Sequence, residues 1–285
     1  MFKKIFGGGK KKLSKLEKNI HEGAAQYKRE MAERENSPAP TPAPQKPAEP
    51  GHEALLRHLD EKDAADPAAR LQIAGKAIFQ LACKSLEGLG GRQGVRVEDL
   101  LALLGSTGGY AVILSALTHL KTQGDTLEQA GIQHVGTADG KHFYFGDFPN
   151  HILVNHEMSV LGLSLGMVKH LGGEANFDLV NDAAAHVAKT IGTPEFGIPR
   201  LPEAHGPIMP PIEFITTMWP RIDQEIDRYQ VAPLHKPAVI GFAIQNALQA
   251  GKDALDLAIA GKIIIECAVP MAKLDPAGIV YAANT

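Results

Sequence analysis

Residues 35–51, ENSPAPTPAPQKPAEPG, place prolines at positions 38, 40, 42, 44, 47 and 50. Each proline removes a backbone donor and fixes φ, so the stretch can complete neither a helix nor a sheet ladder and favours an extended polyproline II rod. The chain must therefore be organised around it. The segment reads as a spacer between a first segment, 1–34, and a folded body, 52–285.

Charge is also unevenly divided along the chain. Residues 1–18 hold seven lysines and one acid, Glu17, a balance of +6, which leaves the remaining residues 22 basic against 31 acidic side chains, or −9. Attraction to an anionic partner is thus concentrated at the start. There Phe2, Ile5 and Phe6 lie among Lys3, Lys4, Lys10, Lys11 and Lys12, with Gly7, Gly8 and Gly9 between. Apolar side chains set among lysines suit shallow insertion into an anionic lipid surface. Leu13, Leu16 and Ile20 continue as a thin helical stripe. The bland alternative is a solubilising tail, or one that touches nucleic acid without reading its sequence. No continuous apolar h-region follows the basic start and no bilayer-length apolar span is read, so the expected location is the cytoplasm, peripheral at the inner membrane face.

The body is expected to be mainly α, a multi-helix bundle with one small β-hairpin. Aromatic residues make up 6% of the chain while Ala, Leu, Ile and Gly abound, which suits close packing of aliphatic helices. Asp66-Pro67 reads as the start of a helix through Leu86, with Leu71, Ala74, Ile78, Leu81 and Ser85 on its buried face. RVEDLLALLG and GGYAVILSALTHLK are read as two helices, 96–104 and 109–121, joined by a turn at Gly105-Ser106-Thr107-Gly108. Then IQHVGT and KHFYFG flank Asp139-Gly140, a pair that accepts the positive φ of a hairpin turn. Helix, turn, helix and hairpin in this order describe a winged-helix-like sub-element at 96–146.

Pro149 is expected in the first turn of a helix to Leu171, whose Gly162 and Gly166 permit a close neighbour. FDLVNDAAAHVAKTIG is a further helix, and 193–211, with six prolines, is an irregular wrap. Helices resume at IEFITTMW, kinked at Pro220, and the last of them, DALDLAIAGKIIIECAVPM, is apolar nearly all round and belongs at the centre. Within it Lys262 and Glu266 stand four apart and are expected to pair with each other or with partners elsewhere.

Two places carry candidate chemistry. KHFYFGDFPNHILVNHE offers Asp147, His151, His156 and Glu157 as an acid–base set that His142 could join, with the 193–211 loop as a lid. On a straight helix His151 and His156 diverge by about 140°, so they cannot chelate one ion. HExxH and Cys/His clusters are absent from the sequence, and neither a metal site nor a cofactor is expected. Asp147 is expected to receive free N–H groups at the helix start. The second place is Gly105, Ser106, Thr107, Gly108 and Gly109, whose backbone N–H groups at a helix start would hold an anion, although GSTGGY matches no phosphate-loop or hydrolase-elbow motif. Cys83 and Cys267 sit in apolar runs and read as reduced, buried and unreactive.

The leading expectation is a binding or adaptor-type protein for a protein partner, attached reversibly to anionic membrane or another anionic partner. Enzyme chemistry at 147–157 and winged-helix binding to nucleic acid are the alternatives. Sequence-specific DNA reading is disfavoured, because the would-be recognition helix carries no arginine and the body is acidic.

Overall fold

The computed structural model describes residues 50–91, 93–156 and 158–282, and the chain divides into two units, 1–48 and 49–285. The basic segment with Phe2, Lys3, Lys4, Ile5, Phe6, Lys10, Lys11 and Lys12, and nearly all of the proline-rich spacer, lie outside the described residues.

The elements of the body are α1 (Pro50–Ala65), α2 (Ala69–Leu86), α3 (Val97–Gln123), β1 (Ile132–Gly136), β2 (His142–Gly146), α4 (Asp147–Asn150), a π-helical turn (His151–Asn155), α5 (Val160–His170), α6 (Asp178–Thr190), α7 (Pro211–Asp227), α8 (Lys236–Gly251) and α9 (Leu257–Met271). The mainly α architecture with one hairpin is as expected. Centrally, α3 packs against α9, α8 and α7; α2 and α5 close over α8, and α6 over α9. Leu101, Leu103, Leu104, Val112, Ile113, Ile240, Ile244, Ile263 and Ile264 are wholly buried there, an aliphatic interior as the composition requires.

The largest departure from expectation is α3. The turn at 105–108 does not exist: one helix runs unbroken from Val97 to Gln123, so the helix–turn–helix that a winged helix needs is missing. Each mid-helix glycine costs roughly 1 kcal/mol of intrinsic propensity, and tertiary contact overrides that cost here. A Cβ on Gly109 would lie 2.1 Å from the Ala268 carbonyl oxygen, and one on Gly105 would lie 3.2 Å from both the Ile264 carbonyl oxygen and Cys267 Cβ. The glycines let two backbones meet. Ser106 and Thr107 turn their hydroxyls back onto the carbonyls of Ala102 and Leu103, at 2.6 and 2.9 Å, so the buried polar groups are satisfied within the helix. Merging the two segments also overturns the expectation about apolar length. From Leu100 to Leu120 no Asp, Glu, Lys or Arg occurs, and by length and composition α3 is sufficient to cross a bilayer, although 89% of its apolar window is buried inside this fold.

The hairpin forms where Asp139-Gly140 placed it, with Gly140 at φ 81° and Ile132 paired to Gly146. Its second strand, β2, is also stitched to the segment following α9: Tyr144 N–H donates to the Lys273 carbonyl at 2.8 Å and Asp275 N–H to the His142 carbonyl at 3.2 Å. At α2, the Asp66 carboxylate accepts from Ala68 N–H at 2.9 Å ahead of a helix that begins at Ala69, and Ala82 and Leu86 take the deep positions rather than Leu81 and Ser85. Gly166 has open space around its Cβ position, so the close approach expected on α5 is not made there.

Residues 193–211 form the expected irregular wrap with one 3-10 turn, Glu203–His205. Phe196 packs edge-on against Phe143, with ring centres 4.8 Å apart. Two polar clasps hold it, described below. Pro220 lies inside a continuous α7 and, lacking an N–H, frees the Thr216 carbonyl; Ala282 N–H donates to that oxygen at 2.8 Å.

Candidate functional site

The junction between β2 and α5 holds most of the candidate side chains. The helix expected from Pro149 to Leu171 is broken there into α4, the π-turn and, after His156–Ser159, α5, whose N-cap Ser159 accepts from Gly162 N–H at 3.0 Å. The wider winding of a π-turn brings residues five apart onto one side. His156 N–H donates to the His151 carbonyl at 2.9 Å, and the two imidazoles meet edge to face with centres 5.6 Å apart. The divergence deduced for a straight helix is therefore wrong, because the helix is not straight.

Convergence alone makes neither a metal site nor an acid–base centre. His156 Nδ1 already accepts from Met158 N–H at 3.1 Å, which leaves the ring proton on Nε2 and that nitrogen without a lone pair for an ion. Among the described residues no group of three metal-ligating side chains occurs. Asp147 is exposed in the first turn of α4 and makes no capping hydrogen bond; Gly146 occupies the cap position expected of it. Glu157 lies outside the described residues. His142 stacks on His134 across the hairpin, ring centres 4.7 Å apart and nearly parallel. Burial holds His134 below the usual imidazole value, and the adjacent His142 ring lowers it further.

Beneath this junction sits a residue that sequence reading passed over. Lys273, just after α9, is 4% exposed; its Nζ donates to Asn150 Oδ1 at 2.5 Å and lies 5.7 Å from the centre of the Phe145 ring. Desolvation lowers its pKa from 10.5 to about 8. The group is thus an ammonium that gives up its proton more readily than an exposed lysine, held by a neutral amide and an aromatic face. Its only trace in the sequence is a lone lysine directly after an apolar helix, and nothing there announces burial.

The second candidate, Gly105, Ser106, Thr107, Gly108 and Gly109, holds no anion site. All five are buried in the middle of α3, where N–H groups are engaged in the helix and no helix start exists to present them. Both thiols are poor nucleophiles, since burial raises the pKa of Cys83 and, more strongly, of fully buried Cys267.

The charged side chains of the core edge act as clasps. Glu266, 6% exposed, is held by Arg200 rather than Lys262: Nη2 donates to Oε1 at 2.6 Å, Nε to Oε2 at 3.2 Å, and the Arg200 backbone N–H to Oε2 at 3.2 Å. Arg200 also meets Asp182 on α6 at 2.8 Å. Farther along the wrap, Arg96 donates to the Gly206 and Ala204 carbonyls at 2.7 and 2.5 Å, and Asp99 accepts from Ile208 N–H at 2.7 Å. Glu98 joins His205 at 3.0 Å. Burial alone would raise the Glu98 pKa, but the His205 hydrogen bond and Arg96 hold it below the usual value. The 193–211 segment is a pinned strap.

No family model matches this sequence, and no curated protein or solved structure is significantly similar to it.

Proposed function

We propose that this protein is a helical binding module, in which the body engages a protein partner and the basic first segment attaches it reversibly to an anionic surface at the inner face of the membrane. One observation carries the reading: charge is segregated along the chain, +6 in residues 1–18 against −9 in the rest, with a proline-alternating spacer at 35–51 ahead of the body. The lysines supply long-range attraction worth about 1 kcal/mol each near an anionic bilayer, and Phe2, Ile5 and Phe6 add shallow apolar insertion. Within the body, arginines 70, 96 and 200 and Lys236 are committed to internal ion pairs, which fits a scaffold more than a reaction centre.

Sedimentation of the full chain with phosphatidylglycerol vesicles tests this. Binding is expected to fall at least about tenfold when Lys3, Lys4, Lys10, Lys11 and Lys12 are replaced by Gln, and to weaken with salt. Binding to phosphatidylcholine vesicles should be negligible. Unchanged sedimentation of the lysine variant removes the electrostatic half of the reading, and unchanged sedimentation after replacing Phe2, Ile5 and Phe6 by Ala removes insertion.

A second reading, acid–base catalysis with Asp147, His151, His156 and Glu157, has the contact of the two imidazoles in its favour. An activity of the chain that survives both His151→Ala and His156→Ala would belong elsewhere.

A further inference from the structure

The residues after the 3-10 turn Pro276–Gly278 lie against α7 and α3 as a ligand would. Pro220 has no N–H to give the Thr216 carbonyl, and that oxygen receives Ala282 N–H at 2.8 Å. One residue earlier, the Tyr281 hydroxyl shares a hydrogen bond of 2.7 Å with the hydroxyl of Tyr110. Tyr110 is wholly buried on α3, and its ring meets Trp219 of α7 edge-on, centres 5.4 Å apart. The body thus presents two polar demands that its own helices leave open: a carbonyl released by a proline, and a phenol whose ring is sealed in the core. Both are costly to leave unpaired.

An extended segment bearing tyrosine at one position and a backbone N–H at the next satisfies both. The resident segment does so with a single aliphatic anchor: Ile279 packs half-buried against the core edge, while Val280 is 84% and Tyr281 38% exposed. One such anchor leaves a modest cost of local detachment.

We propose that the Thr216 carbonyl and the Tyr110 hydroxyl, beside Trp219, form a recognition site for an extended, tyrosine-bearing peptide segment of a partner protein, and that residues 279–282 are its internal occupant, displaced when the partner binds. The aromatic hydroxyl supplies selectivity, because a phenylalanine fills the same space but leaves the Tyr110 hydroxyl unpaired. The neighbouring main-chain bond is indifferent to sequence, so the site reads one side chain and an extended backbone. This inference rests on the protein-partner half of the proposed function and not on membrane attachment, so the vesicle experiment and the one below fail separately.

Trp219 is the single tryptophan of the chain and borders the site, so its emission reports occupancy. In the full chain, Tyr281→Ala combined with Ala282→Pro removes both hydrogen bonds and is expected to shift Trp219 emission. A synthetic peptide of residues 277–285, added in trans, should restore the wild-type spectrum with saturation. A peptide keeping only the Tyr-Ala pair in a Gly/Ser background should do the same, and its Phe version should bind at least about fivefold more weakly. The wild-type chain should need at least about tenfold more peptide, because its own segment competes at an effective concentration near millimolar. An unshifted spectrum in the released variant, no response up to about 1 mM peptide, or equal binding of the Tyr and Phe peptides overturns the proposal. Should the double variant fail to fold, Tyr281→Phe in the full chain decides instead. Peptide must displace its weakened segment more readily than that of the wild type, and equal displacement overturns the inference.

Discussion

Gly109→Ala is expected to destabilise the body by at least about 3 kcal/mol, a large part of the 5–15 kcal/mol typical of a folded domain. Propensity argues the other way, since alanine in place of a mid-helix glycine stabilises an isolated helix by roughly 1 kcal/mol. Contact decides the sign. The new methyl would stand 2.1 Å from the Ala268 carbonyl oxygen and 2.8 Å from its carbon, atoms of the α9 backbone that cannot step aside by changing a rotamer. Relief requires α3 and α9 to separate, and that opens the seam where Ile264, Cys267 and Ala268 are buried. Overpacking against side chains costs about 1–3 kcal/mol, and a rigid backbone leaves less room for relaxation. Gly166→Ala on α5 is the matched control: its position is exposed with nothing within 4 Å of the added Cβ, so it should stabilise by about 0.5–1 kcal/mol. Urea unfolding of the two variants beside the wild type checks the pair. Equal, small effects of the same sign would mean that α3 and α9 do not meet at Gly109.

The same glycine explains where the sequence was legible and where it was not. The hairpin could be read locally, because Asp139-Gly140 demands a turn in any surroundings and the alternation of IQHVGT and KHFYFG fits a strand on either side. GSTGG sends the same local message within α3, yet its message is about a neighbour: the glycines exist for the backbone of residues 264–268, far away in sequence. Local propensity cannot separate a turn glycine from a contact glycine. The π-turn was hidden for a related reason, since a one-residue widening between His151 and Asn155 leaves no compositional mark, and it reverses which histidines face each other. Pairing of charges fared in the same way. The spacing offered Glu266 either Lys262 on its own helix or a partner elsewhere without naming it, and the fold supplies Arg200 from a strap that the sequence showed only as proline-rich and irregular. What reads easily is a feature fixed within a few residues; the junction around Lys273, assembled from β2, α4 and the end of α9, is fixed by tertiary contact alone.

Lys273→Met should raise stability at pH 7 and change its dependence on pH. In the unfolded chain the amine titrates near its ordinary value of 10.5, whereas burial lowers it to about 8 in the folded one. The folded state therefore gives up the proton first, and between these two values the unfolded state holds more protons, so stability rises with pH across that window. Below pH 8 the whole cost of burying the ammonium is present, on the order of 3 kcal/mol for such a shift. Little of it is screened, because the residue is 4% exposed. Methionine fills nearly the same volume and keeps a soft contact with the Phe145 ring, but it leaves Asn150 Oδ1 without the Nζ donor, a loss of about 1 kcal/mol. The balance is a gain of about 2 kcal/mol at pH 7, or about 4–8 °C in Tm for a body of this size. As pH rises through 10.5 the wild type recovers its deficit and the advantage should vanish or reverse. Tyr110, Tyr229 and Tyr281 are held above the usual phenol range by burial and occur in both chains, so they cancel in the difference. Thermal unfolding of both proteins from pH 6 to 10.5 measures that difference directly. A methionine variant that is less stable at pH 7, or a difference that stays flat between pH 8 and 10.5, would mean that the Lys273 ammonium is compensated in the folded protein and does not carry the burden assigned to it.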